Sequence, residues 1–460
     1  MVGGNVYAHA PILSGPSALQ QGPPQPDNGP SAAALVATVE TVSDDYTLGI
    51  VDPTTPSTEL DLWTRAVALG FLESELSDEQ LGKQREWLAA DNSRLRQALS
   101  HAPEGIGAMR RPVATFRSWD KTLNTGGGHL EPVNLITDVT VRQTERRRGL
   151  LRRLMTQDLT EAKDRGTAIA SLTVTEASIY SRFGFGVATL RQQVELDISH
   201  GYTLWHQPTG TIVQLDPTSP ETLATWQRLD DQFHQANRGS HQRSAWHADS
   251  ALGSFDWDSG AVDRKRRAAA HLDESGQVDA MITYTVKDES EFRVHEFISL
   301  NAEAELALWA FIGHHDLLKK ATWNAFNPAS PLRWALADQR RLSVTAEKDG
   351  IWLRILDPVA ALQARGFDHD GEVVIGIRDT MELAQGTFRV RHRAGQTEVE
   401  ATDAEPQVHC DVDVLASLYL GGVNTWALHH AGRLHGSTEA IAATHDLFRV
   451  AVPPSNLRYF

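Results

Sequence analysis

Three arginines and a glycine in succession, Arg146-Arg147-Arg148-Gly149, lie between an alternating apolar stretch, Val133–Val141, and one with helical spacing, Leu150–Arg165. A loop that opens a helix in this way turns consecutive N–H groups toward one point, and the helix start adds partial positive charge. Arg147, Arg148 and Arg152 add full charges, and Gly149 lets an anion approach the backbone closely. The chemistry that suits this group is the holding of a pyrophosphate. No Gly-Lys-Ser/Thr follows, so the loop is not a Walker loop. The plainer alternative is a solvated basic face on a surface helix. About thirty residues on comes Thr173-Val-Thr-Glu-Ala-Ser-Ile-Tyr180-Ser-Arg-Phe-Gly-Phe-Gly186. A tyrosine there can give its phenolic proton to a leaving group of similar basicity, near pKa ~10, and a thiolate is such a group. A lone tyrosine is otherwise a half-buried core residue.

The elements that must position these residues are legible in part. Residues 1–33 are expected to form a disordered tail, because Met1–Pro30 carries six prolines, five glycines and a single charge, Asp27. A first strand is expected at Leu35–Val39. Leu60, Trp63, Val67 and Phe71 follow at helical spacing behind Ser57, a cap residue. Gly105–Arg117 and Val133–Val141 read as strands, with a glycine-rich turn at Thr125–Gly128. Leu151, Leu154, Met155, Leu159 and Ala162 give the helix Leu150–Arg165 its apolar face, and Thr167–Thr175 reads as the next strand. A break at His200–Thr209 precedes a second α/β pattern, with strands at Val278–Val286 and Phe292–Leu300 and a helix face running from Leu306 to Leu317. From Thr345 a third pattern begins, with strands at Glu372–Ile377, Phe388–Arg393 and Glu398–Thr402 and a helix at Val414–Leu420. The expected units are 34–200, 201–344 and 345–460, and the expected class is α/β of the α+β kind with mixed sheets.

Composition narrows the function classes. The chain has 460 residues, a net charge of −16 and one cysteine, Cys410. So acidic a surface is a poor general nucleic-acid binder and attracts cations, amine substrates among them. One cysteine excludes an internal disulfide framework and a cysteine-based zinc site. His314-His315 and His429-His430 lack metal-ligand spacing, and no metal site is expected. No apolar run approaches the ~18 residues of a membrane span, and no secretory signal opens the chain. A cytoplasmic location with no membrane partner is the expectation.

Taken together, Val139–Arg152 and Ile179–Gly186 resemble the enhanced intracellular survival (Eis) branch of the GNAT N-acetyltransferases. Asp349-Gly-Ile-Trp-Leu-Arg-Ile-Leu-Asp-Pro-Val-Ala-Ala-Leu-Gln-Ala-Arg-Gly-Phe367 is similar to that family's entry into its third domain, and Ser417-Leu-Tyr-Leu-Gly-Gly422 to a later motif. The final Phe460 matches as well. The resemblance implies tandem GNAT-like domains followed by a sterol-carrier-like α/β domain. Of the two GNAT-like units only the first would hold acetyl-CoA, since Asn301-Ala-Glu-Ala-Glu-Leu306 offers acids where the first offers arginines.

Carried over residue by residue, the resemblance implies acetyl-CoA contacts at Val139, Thr140 and Val141, at Arg147, Arg148, Gly149, Leu150, Leu151 and Arg152, and at Thr175 and Glu176. It implies Tyr180 as general acid and the Phe460 α-carboxylate as general base. The acceptor would be a primary amine of a cationic small molecule, aminoglycoside or polyamine-like, attacking the thioester directly. A protein-lysine acetyltransferase and a non-enzymatic lipid or small-molecule carrier are the alternatives. A homohexamer is the expected assembly. Asp138 and Tyr459 stand where the best-known members of the branch differ, and both are expected to face the acceptor, a plain strand-end carboxylate being the alternative for Asp138. Glu73 is a weaker candidate for the same cation.

Overall fold

The computed structural model describes residues 45–101 and 109–460. The tail expected over 1–33 and the strand expected at Leu35–Val39 lie outside the described residues.

Local signals set many of the element boundaries. Ser57 Oγ accepts from Leu60 N at 3.2 Å and starts the helix Thr58–Gly70. Of the strand expected over Gly105–Arg117, residues 105–108 lie outside the described residues, and among the described ones the strand runs Ala114–Gly126. Among its described residues the earlier part includes Pro112, which has no N–H to give to a ladder. Gly126, Gly127 and Gly128 then take positive φ in the turn to the next strand, His129–Val141. The helix Leu150–Asp164 follows as expected. The strand after it is shorter than its apolar pattern suggests, only Ile169–Leu172.

The first sheet has seven strands. In order they are Tyr46–Val51, Arg94–Ser100, Ala114–Gly126, His129–Val141, Ile169–Leu172, Trp352–Ile355 and Gly186–Val187. The pair His129–Val141 and Ile169–Leu172 is parallel, with register from Val133↔Ile169 to Ile136↔Leu172. Beyond Ile136 and Leu172 the two strands part, which opens a cleft in the sheet. On one face Leu154, Met155, Leu159 and Ala162 of the helix pack against Phe116, Ile136 and Leu172. On the other face Trp119, Leu123, Val133 and Leu135 join the core of the third unit. Alternation along one strand thus feeds two cores.

The second sheet also has seven strands, in the order Leu342–Asp349, Leu190–Asp197, Lys320–Phe326, Glu291–Ser299, Val278–Lys287, Arg267–Leu272 and Thr211–Leu215. It repeats the parting. Glu291–Arg293 pair in parallel with Lys320–Thr322, and there the pairing ends. The helix on this sheet runs Ala302–Gly313, so Leu317, expected on its face, falls beyond it and is 87% exposed. Two strands sit away from their neighbours in sequence. Leu190–Asp197, inside the expected first unit 34–200, belongs to the second sheet, and Trp352–Ile355, inside the expected third unit 345–460, pairs with Ile169–Leu172 in the first. The third unit is a five-stranded sheet with helices including Pro358–Ala364, Val412–Tyr419 and Thr438–Phe448. From its last helix the chain returns as an extended tail toward the first two units.

Candidate active site

The loop singled out in the sequence opens the helix Leu150–Asp164 in a particular way. Gly149 occupies the N-cap with φ 75°, and no side chain caps the helix. Arg147 is also left-handed, at φ 64°. The first-turn amides therefore remain available to a ligand, at the positive end of a 15-residue helix. Arg147, Arg148 and Arg152 are exposed around it, Leu150 is buried and Leu151 half-buried. Arg148 Nε lies 3.4 Å from Glu145, an exposed pairing that leaves the rest of the guanidinium open. The corresponding helix of the second sheet is closed. Asn301 Oδ1 accepts from Ala304 N at 2.8 Å, and Glu303 and Glu305 occupy the first turn. One of the two helix starts can receive a diphosphate and the other repels it.

Upstream, the strand His129–Val141 carries a bulge. Thr115 pairs with Thr140 and Arg117 with Thr137, so Asp138 and Val139 together face the single residue Phe116. Asp138 takes φ 52°, and its carbonyl accepts from Thr115 Oγ1 at 2.9 Å. A bulge at this point removes residues from the ladder and re-aims the strand edge where the cleft opens. Val139 and Val141 are half-buried, and Thr140 is buried with its hydroxyl 2.7 Å from that of Thr115. Gly70, at the end of the helix Thr58–Gly70, is held against the bulge, since a Cβ there would lie 2.4 Å from Thr140 Cβ. Asp138 is buried beside Arg117, whose Nη1 is 3.7 Å from Oδ2, and burial raises its pKa despite that partner.

Thr137 and Thr173 are the first residues past the last parallel pair on each strand. Both donate their hydroxyls to the backbone oxygen of Phe460, at 3.3 and 3.0 Å, which in the terminal residue is an oxygen of the α-carboxylate. The Phe460 ring is buried edge-to-face on Trp119 and His241, with centroids 5.8 and 4.8 Å apart. Tyr180 approaches from the other face of the sheet, in the cluster that holds Ile136 and Leu172, with Val139 packed against it. It ends the short helix Ala177–Tyr180, whose N-cap is Glu176; Thr175 and Glu176 are exposed. Burial, helped by the Glu176 charge, pushes the Tyr180 phenol up to about 12. The phenol therefore holds its proton more tightly than the free side chain. It suits hydrogen bonding to a developing thiolate better than early release of the proton.

A cavity of about 140 Å³ is lined by Trp87, Trp246, Phe255, Trp257 and Tyr459, together with Arg191, Arg266 and Arg458. Trp257 Nε1 donates to Glu73 Oε2 at 3.4 Å. Burial lifts the Glu73 carboxyl to about 7, opposed by the Trp257 hydrogen bond and reinforced by Asp138 and Asp258. Aromatic faces are an environment for an ammonium ion, and Asp256 and Glu296 also line the cavity. Cys410 is buried in the third unit, and its thiol is pushed up to about 12, mainly by burial. It makes no reactive thiolate. The sequence offered no sign of Thr137, Thr173, Trp87, Trp257 or Arg458. Their roles depend on where strands part and on which distant segments meet.

Comparison with known proteins agrees with this architecture. GNAT acetyltransferase domain models match residues 54–188 and 239–355, and a sterol carrier protein domain model matches 358–456. A Streptomyces avermitilis protein named as an uncharacterized N-acetyltransferase is 30% identical over 403 residues, covering 84% of this chain and 92% of that one. N-acetyltransferase Eis of Mycobacterium tuberculosis is 30% identical over 340 residues, 72% of this chain and 81% of that protein. The crystal structure of Eis1 from Mycobacterium abscessus shares the fold, with a TM-score of 0.74 and 24% identity over 90% of this chain and 100% of that one. Fold and site define a GNAT-type N-acetyltransferase with two GNAT domains and a sterol-carrier-like third domain. More narrowly, the chain belongs to the Eis family of N-acetyltransferases.

Proposed function

We propose that the protein transfers an acetyl group from acetyl-CoA to a primary amine of a cationic small molecule, of the aminoglycoside or polyamine kind. The observation that carries this reading is the uncapped start of the helix Leu150–Asp164, in line with a sheet cleft at which an oxygen of the Phe460 carboxylate is held. Arg147, Arg148, Arg152 and the amides from Gly149 to Leu151 hold the diphosphate. Val139, Thr140 and Val141 offer a strand edge to the pantetheine amides, and Thr175 and Glu176 border the thiol end. Acetyl-CoA supplies the acyl group as a thioester. The aromatic cavity with Glu73 orients the ammonium group. The Phe460 α-carboxylate accepts its proton, through water, because a carboxylate of pKa ~3.5 is a weak base toward an amine of pKa ~10. Tyr180 hydrogen-bonds to the sulfur and returns a proton to the departing thiolate. Proximity contributes most, up to ~7–11 kcal/mol in favourable model systems.

Thiol release with acetyl-CoA and a panel of aminoglycosides and polyamines tests the reading. Turnover of at least one such amine supports it. Binding of acetyl-CoA with no turnover of any amine on the panel overturns it. Assembly as a homohexamer and a cytoplasmic location belong to the same reading and rest on the family likeness alone. Among the described residues no helix is long and apolar enough to cross a membrane.

A further inference from the structure

The second GNAT domain has the cleft of the first, but its helix start is capped and acidic. Part of that cleft is filled by the chain's own tail. Leu457 packs against the cluster containing Phe297, Trp323 and Phe326 where the second parallel pair has parted, and it also touches the cluster around Trp226 and Ile298. Ser455 N donates to the Arg238 carbonyl at 2.9 Å. The Arg458 guanidinium lies between two buried carboxylates on different elements. Nε and Nη2 reach the two oxygens of Glu296, on the strand Glu291–Ser299, at 3.2 and 3.1 Å. Nη1 pairs with Asp230 on the helix Pro220–Ala236. The Arg458 guanidinium also sits 5.1 Å from the Trp226 ring centroid. His247 Nδ1 accepts from Ser244 N at 2.7 Å, which fixes Nε2–H as the donor to the Tyr459 carbonyl, 3.0 Å away. Arg191, on a strand of the second sheet, stacks on the Tyr459 ring.

These holds on the tail from Ser455 to Tyr459 come from the second sheet and its helices and loops. Phe460 itself reaches Thr137, Thr173 and Trp119 of the first sheet. A buried arginine bridging two carboxylates fixes direction as well as position, because its donors lie in a rigid fork.

We propose that the second GNAT domain serves as a clamp for the C-terminal tail, its cleft seating Leu457 and its Asp230–Glu296 pair locking Arg458, which makes Arg458 a positioning residue for the Phe460 carboxylate. The proposal rests on the reading of that carboxylate as the base. The clamp lies remote from the arginine loop, so it acts on turnover and leaves cofactor binding alone.

The test uses the full chain and the variants Arg458→Met, Arg458→Lys, Asp230→Asn and Glu296→Gln, with Phe460 deletion as reference. Arg458→Met is expected to lower kcat by about 100-fold, the scale of a 1 Å misplacement, with acetyl-CoA affinity by calorimetry unchanged. Arg458→Lys, which keeps the charge and loses the fork, is expected to recover part of the rate. Hydrogen exchange of residues 455–460 should speed up in Arg458→Met, and the variant should add nothing to the Phe460 deletion. If Arg458→Met does not fold, the two single carboxylate variants are read by the same measurements. Unchanged exchange protection overturns the clamp. Faster exchange with normal kcat, while Phe460 deletion abolishes turnover, overturns the positioning role alone. Normal kcat in the Phe460 deletion itself overturns the base reading, whatever the clamp does.

Discussion

Thr173 donates its hydroxyl to the backbone carboxylate oxygen of Phe460 at 3.0 Å across 287 residues of chain, at the point where two parallel strands cease to pair. The third domain's tail thereby meets the cleft of the first. If the α-carboxylate to which that oxygen belongs is the base, its position matters more than its strength. Deleting Phe460 shifts the terminus by about 3.5 Å. Turnover is expected to fall by about 100-fold or more with acetyl-CoA affinity unchanged, as measured by thiol release and calorimetry. A C-terminal extension is expected to have the same effect.

Gly149 sits at φ 75°, a conformation that β-branched residues adopt only under strain. Gly149→Val is expected to disturb the first-turn amides and to weaken acetyl-CoA binding at least about tenfold, since both the diphosphate donors and their direction are lost. The thermal midpoint should change little beside that loss. Calorimetric titration with CoA and a melting curve on the same sample decide it.

Tyr180 has no neighbour among the described residues that draws off its proton, and burial keeps the phenol protonated to about pH 12. Removing the hydroxyl in Tyr180→Phe is expected to lower kcat by about 10²–10⁴ with acetyl-CoA affinity nearly constant. In the wild type the loss of rate from tyrosine ionisation belongs above about pH 11. An alkaline limb near pH 8 that disappears in Tyr180→Phe would show the assigned environment to be wrong.

Glu73 is expected to make acceptor binding pH-dependent. Its folded pKa of about 7 lies above the 4.5 of the unfolded chain, so the folded state binds more protons between the two values. The stability tied to that proton is complete below about pH 4.5 and is lost as pH rises through 7. Glu73→Gln mimics the protonated form, so its melting temperature relative to wild type should climb from pH 4.5 to 7.5. A cationic acceptor needs the ionised form. Its affinity should rise through pH 7 with proton release, and both effects should vanish in Glu73→Gln, as followed by calorimetry in two buffers of different ionisation enthalpy.

Much of the fold was legible where information is local. The Ser57 cap, the helix opened by Gly149 and the alternating strand Val133–Val141 are each specified by neighbours in sequence. The Arg147–Arg152 cradle was legible for the same reason, and the acidic counterpart at Asn301–Leu306 marked the second helix start as different. The strand ending at Leu172 was overextended to Thr175, because apolar alternation does not register the loss of a hydrogen-bonding partner. Thr137 and Thr173 are ordinary strand threonines until that partner is lost. Arg458 is an ordinary tail arginine until Asp230 and Glu296 are placed beside it. Asp138 read as a strand-end carboxylate or an acceptor contact. It is a buried bulge residue beside Arg117, and a bulge depends on cross-strand register that one strand does not encode.

The exchange of Leu190–Asp197 and Trp352–Ile355 between the two seven-stranded sheets bears on the gene as well as the fold. A cut at either boundary between the units would deliver a sheet lacking one strand and a loose strand belonging to its neighbour. Unpaired edges of that kind invite association with other chains. Exchanging one half for a homologue's would leave each sheet with a missing or mismatched strand. The half whose helix start is capped and acidic supplies the strand Trp352–Ile355 that completes the sheet of the other.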